Sequence, residues 1–266
     1  MNPVMLSSVG RRIRHLRVLE PSSRLHFLLW RSATRRWRDV TLRLRTGLDL
    51  ELRHNSTDHY GLSEIFFNNQ YRPPAPVSLP PDLRTIVDVG ANVGYSCLYF
   101  ARQFPRAAIT AFEPHPGHVS QIGRHLARNR LADRVTLVAA AAGVAEGQAY
   151  LTDREAGSRL IPGSEQDMGE AHGNIAVPVV DWFASLPQGN IDLLKIDVEG
   201  SEYVLLSDTR FLSDVAPRTS CMVLEWHNTS EVPDGKSWCE EHLRAMGYRV
   251  FDGASYGHAG LIWCVH

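Results

Sequence analysis

Two short segments carry acidic, basic and imidazole side chains at a spacing of two residues. Lys195, Asp197 and Glu199 alternate through IDLLKIDVEGSE, and Glu225 and His227 flank the tryptophan of LEWH. Residues two apart share one face of a β-strand, so each segment would point its groups in a common direction. Groups of these types could take a proton from a hydroxyl or bind a metal ion.

The residue types leave two chemical interpretations open. Carboxylates with one imidazole suit Mg²⁺ or Mn²⁺ better than Zn²⁺, which makes Asp197, Glu225 and His227 candidate metal ligands. In the alternative the site holds no metal, His227 is the general base, and the acids bind hydroxyls of the acceptor. Lys195 would keep the Asp197 carboxylate ionised in a buried strand, although the pair could also be purely structural. The candidate catalytic residues are Asp197, His227, Lys195 and Glu199.

A glycine-rich turn, VDVGANVGYS, follows the first apolar run of the main domain. Gly90 lets the backbone pass close to a ligand, and the helix after the turn would aim its free N–H groups at the same place. A dinucleotide loop has its second glycine where this chain has Asn92. Asp88 suits a ligand with a positively charged amine better than it suits a pyrophosphate. The candidate cofactor-binding residues of the turn are Asp88, Gly90, Asn92, Gly94, Tyr95 and Ser96.

The second predicted strand ends at Glu113, where a carboxylate can accept hydrogen bonds from both hydroxyls of a ribose. An amine contact, a ribose contact and no phosphate site together describe S-adenosylmethionine. An acid at this position also serves NAD, and the glycines could serve packing alone. The inference therefore depends on Asp88, Asn92 and Glu113 together.

Four segments together resemble the FkbM family of S-adenosylmethionine-dependent methyltransferases: VDVGANVGYS, FEP, IDLLKIDVEGSE and LEWH. The similarity runs in order through residues 57–265 and includes GLSEIFFNNQY. It implies a class I methyltransferase-like, Rossmann-like α/β fold, with a seven-stranded, mostly parallel sheet, helices on both faces and an antiparallel last strand. It also implies methylation of a hydroxyl of a sugar, glycolipid, polysaccharide or polyketide-type product. LVAAAAG lacks the acid that many class I enzymes use to hold adenine, so backbone and apolar groups would replace it.

Two other functions stay open on the sequence. An NAD-linked sugar dehydrogenase or epimerase would share the acid at Glu113, but Asn92 and the missing third glycine count against it. The other is a non-catalytic binding module on the same fold. Against decay of the site, four residues are intact: Asp88, Glu113, Lys195 and Asp197.

Apolar runs that alternate with helical segments predict a parallel α/β domain over residues 82–266. The resemblance implies that this is the S-adenosylmethionine-binding methyltransferase domain. The predicted strands cover residues 85–89, 108–112, 135–139, 191–196 and 222–226, with a closing hairpin of residues 248–251 and 261–265. The predicted helices cover residues 95–104, 118–130 and 237–246. Residues 154–174, rich in glycine, serine and acids, are predicted to be a mobile loop that covers the acceptor.

Residues 1–81 are predicted to hold a basic helical segment, a β-hairpin over residues 40–53 and a proline-rich linker. Residues 1–50 carry eleven arginines against three acids. A helical cap docked on the main domain is the favoured interpretation, and peripheral contact with an anionic membrane surface is the alternative. The positive charge is confined to one end and no aromatic-basic motif accompanies it, so no nucleic-acid partner is expected.

The composition fits one large α/β domain with an N-terminal elaboration. The 266 residues are 44% hydrophobic and 21% charged, with a formal net charge of -1. Four scattered cysteines without a Cys-x-x-Cys motif argue against a zinc ribbon or a disulfide scaffold. Together with the lack of a long apolar run or a separate signal block, they predict a cytoplasmic protein. The expected partner is a small-molecule or glycan acceptor, and the sequence makes no prediction of oligomeric state.

Overall fold

The N-terminal elements are a helix, a two-stranded hairpin and a helical turn. The structure is a computed structural model that describes residues 15–31, 38–152, 160–162 and 174–266. Its first elements are α1 (Pro21–Arg31), β1 (Val40–Arg43), β2 (Asp49–Leu52) and α2 (Asp58–Gly61), which continues as a π-helical turn (Leu62–Phe67). β1 and β2 pair antiparallel, which confirms the predicted hairpin. Gly47 turns between them at a φ of 90°, in the left-handed region that favours glycine.

The remaining strands and helices alternate along the chain. The strands are β3 (Thr85–Val89), β4 (Ala108–Phe112), β5 (Val135–Val138), β6 (Ala141–Gly143), β7 (Gly147–Thr152), β8 (Leu160–Pro162), β9 (Asn174–Asp181), β10 (Ile191–Ile196), β11 (Thr219–His227), β12 (Arg249–Ser255) and β13 (Ala259–Val265). The helices are α3 (Tyr95–Gln103), α4 (Pro116–Asn129), α5 (Trp182–Ser185), α6 (Glu202–Ser207) and α7 (Gly235–Ala245). A π-helical turn (Phe211–Val215) and a 3₁₀ turn (Ala216–Arg218) precede β11.

Seven of these strands form the central sheet, in the order β12-β13-β11-β10-β3-β4-β5. β13 runs antiparallel to β11 and β12, whereas the pairs from β11 through β10, β3 and β4 to β5 are parallel. The predicted seven-stranded, mostly parallel sheet is therefore confirmed, and so is its antiparallel last strand.

Apolar side chains cover both faces of the central sheet, because successive strand residues point to opposite sides. Ile86 and Leu193 share one buried cluster with residues of α3 and α4, while Val87 and Leu194 share another with residues of α5, α6 and α7. Helices on both faces were predicted, and the two clusters confirm them.

The N-terminal elements belong to the first of these clusters. Leu42, Leu50 and Leu52 of the hairpin are fully buried in the same apolar core as Ile86 and Leu98 of the main domain. The described residues on the two sides of the predicted boundary at the proline-rich linker thus share one core. Residues 1–14 and 32–37 of the predicted basic segment lie outside the described residues.

Helix α1 packs on this core through one side only. Phe27 and Trp30 are buried, whereas Leu25, Leu28 and Leu29 are exposed on the outer side. The buried pair matches the predicted helical cap, while membrane contact by the basic N-terminal segment stays a prediction. No helix in the described part of the chain combines the length and hydropathy that crossing a bilayer requires.

A second sheet, which the sequence analysis missed, contains four strands in the order β6-β9-β7-β8. β7 pairs antiparallel with both β8 and β9, and β6 pairs parallel with β9. The prediction of a continuous loop over residues 154–174 is corrected at Leu160–Pro162, which is β8. Residues 154–159 and 163–173 of that predicted loop lie outside the described residues.

Candidate active site

The candidate site lies where the strand order of the central sheet reverses. β3 pairs with β4 on one side and with β10 on the other. The connection after β3 therefore runs towards β4, whereas the connection after β10 runs the opposite way, towards β11. Open α/β sheets bind ligands outside the carboxyl ends of the strands at such a switch point. The ends of β3, β4, β10 and β11 carry all the residues proposed from the sequence.

The glycine-rich turn after β3 is held by close backbone contacts. Gly90 has a φ of 82°, and a Cβ there would come 1.8 Å from the carbonyl oxygen of Asp197. Gly94, with a φ of 85°, precedes α3 directly. Asn92 adopts a φ of 50°, a left-handed conformation that asparagine tolerates better than most residues. Its exposed side chain borders both pockets of the site.

The structure corrects the expected surroundings of Asp88. Its carboxylate is fully buried and lies 3.0 Å from the Nζ of Lys195, an ion pair that joins the neighbouring strands β3 and β10. Ser96 Oγ and Cys97 Sγ donate to the same carboxylate, at 2.6 and 3.3 Å. Asp88 therefore faces protein groups on these sides, and Lys195 balances its charge. The amine contact proposed for Asp88 has no support in this arrangement.

Lys195 is also 3.5 Å from Asp197, on the side towards the pocket. Its Nζ donates a hydrogen bond to the carbonyl oxygen of Gly90, which fixes the glycine turn to β10. Burial lowers the pKa of Lys195, but the charge of Asp88, together with Tyr71, Asp197 and the hydrogen bond to Asp88, outweighs burial and leaves the pKa well above the ordinary value. Lys195 is thus a fixed positive charge beneath the site.

Two other predicted residues of the turn act within the protein. Tyr95 is buried, and its hydroxyl donates to the carbonyl oxygen of Glu51 in β2 at 2.7 Å. Ser96 is buried against Asp88. Both line the larger pocket of the site, so they shape its wall while their polar atoms hold the hairpin and the ion pair.

Glu113, at the end of β4, borders a cavity of about 100 Å³. One carboxylate oxygen accepts a hydrogen bond from the backbone N–H of Asn92 at 2.8 Å, and the other accepts one from the N–H of His115 at 2.9 Å. Among the described residues, Oε2 has only the N–H of Asn92 as a partner, so its second lone pair can accept a ligand hydroxyl, whereas Oε1 also lies 3.2 Å from Nδ1 of His118. Phe112, Ala141, Ala142 and Leu151 supply an apolar lining. This smaller pocket suits a ribose with an aromatic base.

His118, near the start of α4, is buried and lies 3.2 Å from Glu113. Its ring stacks on that of His115, with the centroids 4.3 Å apart. Both histidines line the smaller pocket. The sequence indicated their place near the site only through their distance from Glu113: His115 follows it by two residues and His118 by five.

Asp197, Glu225 and His227 come together at the ends of β10 and β11. Each offers one ligand atom, and these atoms lie within 4.8 Å of one another. The parallel register that pairs Ile196 with Leu224 brings the two strand ends level. The spacing of two residues seen in the sequence thus places all three side chains at one point, with a donor set that fits Mg²⁺ or Mn²⁺.

His227 is held between two carboxylates. Its Nδ1 is 3.2 Å from Glu202 and its Nε2 is 3.4 Å from Glu199, whose backbone has a φ of 52°. Burial lowers the pKa of His227, but the hydrogen bond that its imidazole donates to Glu202 and the charges of Asp197, Glu202 and Glu199 outweigh burial and raise the pKa to about 9. At neutral pH, without a metal, the imidazole is therefore protonated. This state does not suit the metal-free role of general base.

The carboxyl group of Glu225 also has a shifted pKa. Burial, then repulsion from Asp197, raises its pKa well above the ordinary value. Gln70 Nε2 donates to one of its oxygens at 3.4 Å. Several negative charges thus crowd this end of the sheet, and a cation bound between them would relieve the crowding.

The N-terminal elements close a larger pocket of about 300 Å³ over these groups. Glu64, Gln70 and Tyr71 line it together with Asp197 and Glu225. Burial, then the charges of Asp197 and Glu199, raises the pKa of Glu64. Sequence reasoning missed these N-terminal residues, because no local pattern relates them to strands more than a hundred residues away.

Fold and site together define a class I methyltransferase-like protein. The strand order, the antiparallel β13 and the acid at the end of β4 all belong to that arrangement. The crystal structure of Methyltransferase FkbM from Methylobacillus flagellatus KT superposes with a TM-score of 0.51 at 14% identity, over 79% of this chain and 56% of that chain. At this identity the likeness is one of fold.

The chain belongs to the FkbM methyltransferase family, whose domain model matches residues 88–250. Methyltransferase sdnD of Sordaria araneosa is 30% identical over 173 residues, which cover 54% of this chain and 65% of that protein. Methyltransferase 1 of Beauveria bassiana is 29% identical over 172 residues, which cover 54% and 64%. The chain thus spans slightly less than two thirds of the length of these relatives.

Proposed function

We propose that this methyltransferase uses S-adenosylmethionine to methylate a hydroxyl of a sugar, a glycolipid, a polysaccharide or a polyketide-type product. One observation carries the proposal. The smaller pocket at Glu113 and the larger pocket at Glu225 meet, and both are lined by Gly90, Asn92 and Asp197. A ligand that lies across this junction would have its nucleoside on one side and its reactive group on the other.

The cofactor fits this junction through groups of matching chemistry. Glu113 would accept hydrogen bonds from the ribose hydroxyls, and the apolar lining of the smaller pocket would hold adenine without an acid after β5. The methionine part would lie along the glycine turn, whose Gly90 and Asn92 line both pockets. This assignment leaves the larger pocket for the acceptor.

Methyl transfer to oxygen is an in-line displacement that needs alignment and removal of the hydroxyl proton. Asp197 borders both pockets, so its carboxylate can accept that proton next to the transferred methyl group. Lys195 stays 3.5 Å away and stabilises the ionised carboxylate. Glu199 and Glu202 orient His227 from either side.

Asp197, Glu225 and His227 would hold the metal ion in the metal-assisted form of this proposal. Bound Mg²⁺ or Mn²⁺ would lower the pKa of an acceptor hydroxyl that coordinates it. The raised pKa values of Glu225 and His227 support this form over the metal-free one. Both pKa values are raised by nearby negative charge, and the cations among the described residues of the cluster do not fully balance that charge.

Transfer of a labelled methyl group from S-adenosylmethionine to a panel of glycans, glycolipids and polyketides tests the proposal. With an active acceptor, Asp197→Asn is expected to lower kcat at least a hundredfold while the affinity for S-adenosylhomocysteine changes little. Chelation should abolish turnover and added Mg²⁺ or Mn²⁺ should restore it; indifference to chelator would overturn the metal-assisted form. Cofactor binding without turnover on any acceptor would favour a non-catalytic binding module.

A further inference from the structure

An open groove of about 710 Å³ extends from the candidate site along the second sheet. Its walls are β6, β7 and β9 on one side, and α6 with the loop after β11 on the other. The groove has more than twice the volume of the 300 Å³ pocket beside it. The proposed function leaves this groove without a role.

Small aliphatic side chains dominate the lining of the groove. They are Ala142, Val144, Ala149, Val179, Val204 and Val232. Val204 on α6 is 57% exposed, although an aliphatic side chain gains from burial. A surface of this character gains more from covering by an apolar chain than by a bare sugar, which would bury less apolar area there.

Glu199 connects the groove with the site of methyl transfer. It lines the groove and both pockets, and its carboxylate lies 3.4 Å from the imidazole of His227. Tyr203 of the groove wall donates its hydroxyl to the backbone carbonyl oxygen of His227. A ligand in the groove therefore reaches the groups that would act on an acceptor hydroxyl.

We propose that the groove binds an alkyl or acyl chain attached to the hydroxyl-bearing head group of the acceptor. The proposal rests on the proposed function and narrows it to amphiphilic acceptors such as glycolipids. The head group lies at Glu199, next to the methyl donor, and the chain runs between the second sheet and α6. Fully burying one methylene raises affinity about threefold to fourfold, so the length of the chain should control binding.

Alkyl β-glucosides test this proposal without requiring turnover. Methyl, butyl, hexyl and octyl glucoside are titrated into the full chain by calorimetry, each below its micelle concentration. We expect the affinity to rise by up to about tenfold with each pair of added methylenes until the groove is filled. Val204→Glu places a charge in the groove at an exposed position and should abolish the rise. The matched control is Leu212→Glu, which changes an exposed leucine, 46% accessible, that lies outside the groove lining.

Each outcome supports or overturns the proposal. A chain-length effect that Val204→Glu removes and Leu212→Glu keeps supports it. An affinity that does not depend on chain length overturns it, as does an effect that both variants lose or both keep. Binding of S-adenosylhomocysteine to the wild type is measured alongside, so that the groove proposal and the proposed function are tested separately. Cofactor binding without a chain-length effect overturns the groove proposal alone. A lack of cofactor binding overturns the proposed function.

Discussion

Lys195 shows how a single residue in a central strand ties the fold to the site. A buried lysine needs a partner, and the spacing of two residues pointed to Asp197. The structure adds a closer one, since Asp88 on the neighbouring strand lies 3.0 Å away against 3.5 Å for Asp197. The alternation within one strand was readable from the sequence. The pairing across strands was not, because it depends on the register of β3 with β10.

Lys195→Met should be strongly destabilising, because it leaves the carboxylate of Asp88 buried without a counter-charge. Removing one partner of a buried ion pair costs about 3–5 kcal/mol, so a loss of that size is expected in urea unfolding. The double variant Asp88→Asn with Lys195→Met should recover part of this loss, since no lone charge remains. A double variant as unstable as the sum of the two single ones would show that the pair does not act as a unit.

At the scale of elements, His125 of α4 joins the hairpin to the glycine turn. Its Nε2 accepts a hydrogen bond from the backbone N–H of Glu51, and its Nδ1 bonds the carbonyl oxygen of Val93, both at 2.8 Å. These two bonds require the neutral imidazole with the proton on Nδ1. Burial lowers the pKa of His125 below its ordinary value of 6.5. Hydrogen bonds and nearby acids raise this pKa, but burial outweighs them.

The stability that His125 contributes should therefore depend on pH. Because the unfolded chain binds the proton more readily, the contribution is complete above pH 6.5 and is lost as the pH falls towards the lowered pKa of the folded state. The substitution His125→Asn removes the titrating ring, so it should reduce the slope of the free energy of unfolding against pH in this window. Urea unfolding of wild type and His125→Asn between about pH 5 and 7 measures it. Equal slopes would contradict the assignment.

The elements of the central sheet were predictable because each strand is a compact apolar run followed by a helical segment. β3, β4 and β10 have their predicted limits, and β5 differs by one residue. The second sheet was not predictable in the same way. β6 and β8 have three residues each, too few for a periodic pattern, and the acids and glycines around β8 resemble a loop. Predicting that sheet would have required its pairing partners.

At the scale of the whole molecule, the described N-terminal elements before residue 82 belong to the same core as the main domain. The hairpin leucines are buried against the main domain, and Glu64 and Gln70 close the larger pocket. The sequence indicated a linker of prolines and hence a boundary. Prolines report only that no regular element passes through them, whereas the shared core depends on packing that local composition does not encode.

A chain of residues 82–266 should accordingly fail to fold as the full chain does. It would expose the apolar face that Leu42, Leu50 and Leu52 cover, and burial of each leucine is worth about 1.5–3 kcal/mol. We expect loss of a cooperative thermal transition by circular dichroism. A truncated chain that melts cooperatively and binds S-adenosylhomocysteine like the full chain would show that residues 82–266 fold alone.

Calorimetric titration with S-adenosylhomocysteine and with NAD⁺ tests the central claim most directly, because it asks which nucleotide the smaller pocket holds. The wild type should bind S-adenosylhomocysteine and show no heat with NAD⁺. Glu113→Gln should weaken binding by about 1–3 kcal/mol through its bonds to the ribose, while Glu241→Gln, an exposed change on α7, should not. Binding of NAD⁺ in place of S-adenosylhomocysteine, or equal affinities for the wild type and Glu113→Gln, would contradict the account.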